Sequence, residues 1–292
     1  MSRVPQKGMT LPELMISITI GLFLTGGMIQ VFISTKGSYS LQERLGDLQE
    51  NGRYAQYFLQ RSIRMAGYPK SADGAAAILY DATANRTLDG GGNANDRITI
   101  QFDAPANGWV DCVGQAVAAR ARVTESFYIE REPNAALSAE NRQNRLMCAV
   151  TSTTNPAVQA QPLLEGIENM QILYGVDDDS ADGTPANRQS NVNNRGWGYA
   201  NYYLRADQVA GLPGTLNANW NRVVSVRIAL LASAMEPTYG GDDDANALAR
   251  RYTLLDATDI EGPSATTVSG ASRHIRAQVF TTTIEIRNRS GV

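Results

Sequence analysis

Histidine is nearly missing from this chain: His274 is the only one in 292 residues. A centre built on several imidazoles, or a nucleophile activated by a histidine base, would have to be assembled around that one side chain. It follows Arg273 and precedes Arg276, with no acidic neighbour in sequence to orient its ring, so it reads as a structural or surface residue. A basic excess is missing too. The net charge of −3 and a pI of about 5.3 leave no positive field to attract nucleic acid or acidic lipid. The run Gly90-Gly91-Gly92 lacks the Gly-Lys-Ser/Thr ending of a phosphate loop and reads as a flexible turn. Cysteine is limited to Cys112 and Cys148, which excludes a disulfide-dense miniature fold, and a chain of this length can bury a sizeable core. No catalytic constellation emerges, and no enzyme is expected.

Charge is also missing from Leu14 to Thr35. At about 1.5 Å per helical residue this stretch spans roughly 33 Å, against a hydrocarbon thickness of about 30 Å, so one helix can cross a bilayer. Arg3 and Lys7 precede it, whereas Lys36 and Arg44 beyond it are mixed with Glu43 and Asp47. That asymmetry places the N-terminus in the cytoplasm and exports the rest. An ordinary secretory signal is the competing reading, but its apolar region runs about 7–15 residues and ends in small residues of Ala-x-Ala type. Ile33-Ser34-Thr35-Lys36 offers no such site. Glu13 is more telling, because an acid at the head of an apolar helix is costly in lipid unless it finds a partner or stays at the interface. In an exported chain Cys112 and Cys148 are expected to pair, stabilising the fold by roughly 3–4 kcal/mol through loop closure.

Beyond the span, Leu41, Leu45, Leu48, Ala55, Leu59, Ile63 and Ala66 recur mostly at three- and four-residue steps, with charged residues on other faces. This predicts an amphipathic continuation of the same helix, ending near Gly67-Tyr68-Pro69. Gly21, Gly26, Gly27, Gly37, Gly46 and Gly52 each weaken it by about 1 kcal/mol relative to alanine, and in the membrane part they permit close helix approach. Short strands follow at 97–102, 126–129, 146–150 and 167–176. The clearest come late: Val224, Val226, Ile228 and Leu230 share one face of 223–231, as Phe280, Thr282, Ile284 and Ile286 do in 278–287. Residues 71–96, 177–198 and 236–272 read as loops. The expected fold is α+β: a long N-terminal helix packed on an antiparallel β-sheet with large loop insertions.

The run Lys7-Gly8-Met9-Thr10-Leu11-Pro12-Glu13, with Leu14, Met15 and Ile16 after it, resembles the class III prepilin signal of type IV pilins and type II secretion pseudopilins. The resemblance implies a leader peptide 1–8 removed by a prepilin peptidase between Gly8 and Met9. It also implies N-methylation of Met9, and an assembly role for Glu13 as the fifth mature residue. A helix over 9–67, spanning the membrane at about 14–35, would then carry an exported head, 68–292. Further along, Gln49 to Ala55, Arg64 to Tyr68, Gly166 to Asp177, Val226 to Leu231 and Phe280 to Asn288 resemble the PilW-like family of minor pilins. That likeness implies a minor pilin acting in the initiation of type IV pilus assembly, near the filament tip. Its implied partners are other minor pilins, the major pilin, the prepilin peptidase, the inner-membrane assembly platform and a tip adhesin, with no nucleic acid. The implied location is the inner membrane, single-pass with a periplasmic head, and then the pilus surface. A type II secretion pseudopilin of the J class is similar in architecture and stays open as an alternative. A pilus-borne adhesin does so as well, with Trp109, Trp197, Tyr199, Tyr202 and Tyr203 as contact residues.

One acidic loop has ligand spacing. From Asp178, the residues Asp178, Ser180 and Asp182 supply oxygens at first, third and fifth positions with Gly183 sixth, as in a calcium loop. Position twelve is Gln189 instead of a bidentate Glu, which weakens the pattern, and a solvated acidic loop is the competing reading. Asp242-Asp243-Asp244 with Asn246 lacks the turn glycine and is weaker still.

Overall fold

The structure is a computed structural model that describes residues 8, 10–69, 76–81, 86–92, 94–131, 144–177, 199–234, 251–261 and 277–288. One helix, α1, runs unbroken from Leu11 to Ile63, roughly 80 Å at about 1.5 Å per residue. Pro12 sits in its first turn, where the N–H it lacks would have had no intrahelical partner. Every residue from Leu11 to Tyr39 is exposed. Burial begins only in the second half, where Leu48, Gly52, Ala55, Leu59 and Ile63 form one stripe at three- and four-residue steps. Leu45 is half-buried. The helix ends in a turn at Gly67, whose φ of 76° suits glycine and whose N–H donates to the Gln101 carbonyl at 2.8 Å. The far end of the chain caps this terminus: Asn288 Nδ2 donates to the Arg64 carbonyl at 3.2 Å.

The remaining elements are β1 (Ile98–Asp103), β2 (Trp109–Val110), β3 (Ala116–Val117), β4 (Arg122–Arg131), β5 (Asn144–Ser152), β6 (Gln159–Glu165), β7 (Ile167–Val176), β8 (Tyr202–Leu204), α2 (Ala206–Ala210), α3 (Leu216–Asn221), β9 (Val223–Ser233), β10 (Arg251–Leu254), β11 (Ala257–Glu261) and β12 (Ala277–Glu285). The fold is α+β, but the single sheet expected from sequence is two antiparallel four-stranded sheets, ordered β1-β4-β5-β6 and β12-β9-β7-β8. The division occurs at one residue. Gly166, with φ 75°, links β6 to β7; its N–H donates to Asn144 in the first sheet and its carbonyl accepts from Ser233 in the second. Alternation tells which face of a strand is buried, not which sheet it joins, so this corner is invisible to periodicity.

Both sheets and the buried stripe of α1 contribute to one core, which holds Leu59, Ile63, Ile98, Ile100, Phe127, Cys148, Met170, Tyr174, Val226, Ile228 and Ile284. The face predicted for β12 is the one that meets α1. Thr282 Oγ1 accepts from Gln60 Nε2 at 2.8 Å, Ile284 and Ile286 are buried, and Phe280 lies over Gly52 so closely that a Cβ there would overlap its ring. Gly52 is therefore not a weak spot but a place where a ring from the sheet packs directly on the helix backbone. Two of the stretches read as loops carry paired structure. Residues 76–97 add the bridges Ile78↔Ile100, Tyr80↔Thr87 and Leu88↔Arg97. Within 236–272 lies the ribbon β10-β11, which buries Leu254 and Ile260 against Ala229 and Leu231 on the outer face of the second sheet. Its turn places Leu255 at φ 56°, a position where sequence gives no glycine to announce it.

Candidate assembly surface and its anchor in the head

The exposed half of α1 is apolar by hydrogen bonding as well as by composition. Ser17, Thr19, Thr25 and Thr35 each donate a hydroxyl to the carbonyl four residues back, at 2.7 to 2.8 Å, and Ser38 does so at 3.1 Å. No hydroxyl of these five is left to demand a partner from outside. The helix contains an 18-residue window of mean hydropathy 1.9, none of it buried. Leu11, Leu22, Phe23, Met28 and Phe32 are all at least two-thirds exposed. Apolar area on this scale marks a surface that lipid or other helices cover.

Gly8 is exposed ahead of this helix, and Met9 lies outside the described residues. Thr10 is the N-cap residue, with an extended backbone and no side-chain bond to a helix N–H; its Oγ1 approaches Glu13 Oε2 at 3.5 Å. Glu13 is exposed in the first turn. A negative side chain is favoured at that end of the helix dipole, and from Leu11 to Thr35 it is the only charged residue. The sequence-predicted calcium ligands Asp178, Ser180 and Asp182 lie outside the described residues, as do Asp242, Asp243, Asp244, His274 and Trp197. Among the described residues, no group of three or more His, Cys, Asp or Glu could hold a metal ion.

The base of α1 is clamped by a loop and a buried acid. Cys112 and Cys148 are disulfide-bonded, with Cα atoms 6.3 Å apart, which ties the β2–β3 loop to the interior of the first sheet. Asp111 Oδ1 turns that loop by accepting from the Val113 and Gln115 N–H groups at 3.1 and 2.8 Å. From α1, the Arg61 guanidinium stacks over the Trp109 ring at 4.6 Å and donates to the Val110 carbonyl at 2.9 Å. Beneath lies Glu125, fully buried on β4. Its Oε1 accepts from the Cys112 N–H at 3.0 Å and its carboxyl bonds Ser62 of α1. Burial pushes it up to about 6, against the opposing pull of those two hydrogen bonds.

Sequence reasoning missed Glu125, although there was a signal: it occupies an inward position between Val123 and Phe127 in an alternating strand. It missed Glu168 too, a half-buried acid that accepts from Ser233 Oγ at 2.6 Å and Asn144 Nδ2 at 2.9 Å across the two sheets. Four of the five aromatic residues proposed for ligand contact are described. Trp109 packs edge-on against Phe102, Tyr203 lies under Arg227 at 3.9 Å, Tyr202 is half-buried, and Tyr199 is exposed.

Against this geometry, the sequence profile described as type IV pilus-assembly protein W matches residues 126–288, more than half of the chain. The chain belongs to that family. The matched region takes in most of β4 and every later strand, the part of the head that receives α1. A second profile, the prokaryotic N-terminal methylation motif, matches residues 3–29, so the class III prepilin signal and the family-specific head occur in one chain. No curated protein matches it. Among solved structures, a type IV-like pilin from Thermus thermophilus is similar with a TM-score of 0.41 and 14% identity, over 85% of this chain and 99% of that one. Family and methylation motif together support a pilin role, and the class III prepilin signal with its apolar helix fits a membrane-anchored pilin.

Proposed function

We propose that this chain is a minor pilin that helps to initiate type IV pilus assembly and sits near the filament tip. In this reading a prepilin peptidase cuts between Gly8 and Met9, the new N-terminus at Met9 is methylated, and α1 moves from the bilayer into the filament core. The N-terminus lies in the cytoplasm before cleavage, the head lies in the periplasm, and the assembled subunit reaches the cell surface. Other minor pilins and the major pilin supply the helices that cover α1, and the inner-membrane platform drives the insertion. The chain catalyses nothing; its work is mechanical.

The observation that carries this reading is an apolar rod, exposed along its whole first half, with a single acid at its head and a clamped base at the other end. In a low-dielectric setting that acid is costly unless a positive group meets it. The amine of an adjacent subunit's mature N-terminus supplies one, and the pair sets register along the growing polymer. The test is Glu13→Ala in the native host. The expected result is normal cleavage and normal membrane level, but loss of the subunit from sheared fibres, at least tenfold by immunoblot. A variant incorporated at wild-type occupancy would remove the role from Glu13. Mass spectrometry of the mature chain, expected to begin at a methylated Met9, tests the processing step separately.

A further inference from the structure

Residues 86–92 and 94–97 lie at the seam between the two sheets, closed on themselves by the Leu88↔Arg97 bridge, tied to β1 where Thr87 Oγ1 accepts from the Thr99 N–H at 2.9 Å, and reaching β7 through Asp96. Strand β8 covers β7 only at Tyr174 to Val176. Further back, Asp96 takes over as a substitute strand. Its N–H donates to the Met170 carbonyl at 2.9 Å, and its Oδ2 accepts from the Ile172 N–H at 2.6 Å. Oδ1 accepts from the Gly90 N–H at 2.9 Å, closing the turn. The carboxyl group thus satisfies backbone donors that would otherwise lie unpaired at a buried edge.

A second acid faces it. Asp89 bonds the Asp96 side chain, and two carboxyl groups can share a hydrogen bond only when one of them holds a proton. The surroundings of the two differ. Asp89 is mostly buried, has Arg205 Nε at 3.2 Å and accepts from the Gly91 N–H at 3.0 Å. Arg205 in turn reaches Asp207 on α2 and Asp256 in the β10–β11 turn, each at 3.5 Å. Asp96 is the more buried of the two acids, and the titratable group facing both from β7 is the phenol of Tyr174, itself fully buried and pushed above its usual value. We propose that the Asp89–Asp96 pair is a proton-operated latch that holds residues 86–92 and 94–97 over the edge of β7 and releases them as the medium turns from acidic to neutral.

The direction follows from linkage. Burial raises the Asp96 carboxyl to about 7, whereas a solvated aspartic acid titrates near 4. The closed form therefore holds a proton that the open form releases, and opening becomes about tenfold easier per pH unit between those limits, then levels off. Burial keeps the Tyr174 phenol above its usual value, so it does not supply the transition.

The test is amide hydrogen exchange on the full chain in detergent micelles, with rates corrected for intrinsic base catalysis. Protection of the Gly90 and Ile172 amides should fall about a hundredfold between pH 5 and pH 7 and stay level above pH 7.5. That of Leu230 in β9 should change far less. In Asp89→Asn the shared proton is no longer required, so the fall should move to lower pH; in Asp96→Asn it should vanish. Protection that is flat with pH in the wild type, or a fall that Asp89→Asn leaves in place, overturns the latch.

Discussion

Gly46 and Gly52 offer the same substitution twice on one helix, with opposite expected signs. A helix-interior glycine replaced by alanine gains about 1 kcal/mol from backbone entropy and propensity. At Gly46, where a Cβ meets nothing within 4 Å, Gly46→Ala should deliver that gain in full. At Gly52 the new methyl enters the space filled by the Phe280 ring. Overpacking of this kind costs about 1–3 kcal/mol, so the gain is reversed and Gly52→Ala should lose about 1 kcal/mol net. Removing the ring removes the conflict. In a Phe280→Ala background, Gly52→Ala should regain about 1 kcal/mol, giving a coupling of about 2 kcal/mol between the two positions in a double-mutant cycle. The measurement is urea unfolding of the head, followed by near-ultraviolet circular dichroism of the full chain in detergent. If Gly52→Ala stabilises as much as Gly46→Ala, and does so with or without Phe280, then the close approach of β12 to α1 is wrong.

Three further outcomes are expected. Glu125 holds its proton up to about 6 in the folded head, above the value near 4.3 of a solvated glutamic acid. The folded state thus binds the proton more tightly than the unfolded one, and stability falls as pH rises between the two values and is constant above. Glu125→Gln should abolish that part of the pH dependence and be more stable than the wild type at pH 7.5 by about 2 kcal/mol; an unchanged pH profile would contradict the burial of the acid. Cys112→Ser with Cys148→Ser opens a loop closed across a sequence separation of 36, and chemical denaturation should show a loss of about 4 kcal/mol, with a cost below about 1 kcal/mol arguing that the loop is held without the bond. Ser233→Ala leaves the Glu168 carboxylate without its 2.6 Å donor, and the melt should report a loss of about 1–3 kcal/mol.

What could be read from sequence depended on whether the signal was local. The apolar first half of α1, the stripe from Leu48 to Ile63 and the inward faces of β9 and β12 follow from spacing alone, because each residue's environment is set by its neighbours at fixed steps. Gly52 does not: its meaning lies in Phe280, which reaches it only after the whole head has folded. The ribbon β10-β11 was illegible because its strands are short and its turn uses Leu255 where a glycine would have marked it. The two-sheet division hangs on Gly166, one glycine among 26 in the chain. Glu125 and Glu168 were hidden for a similar reason, since an acid on a strand reads as solvent-facing until its partners Ser62, Ser233 and Asn144 arrive from distant segments. The prepilin run was legible at once, being contiguous and tied to the apolar stretch that follows it.

The inward-turned hydroxyls on the front of α1 bear on what happens when such a rod changes surroundings. Serine and threonine that bonded outward would tether it to water, to headgroups or to one chosen neighbour, and each tether would have to break before the rod could move. Here the hydrogens are spent on the rod's own carbonyls, one turn back. Acyl chains and the flanks of sister helices therefore meet nearly the same hydrocarbon exterior, and passage from one to the other exchanges dispersion contacts for dispersion contacts. The acid at the leading tip is left as the one charged group on that stretch able to tell the two hosts apart.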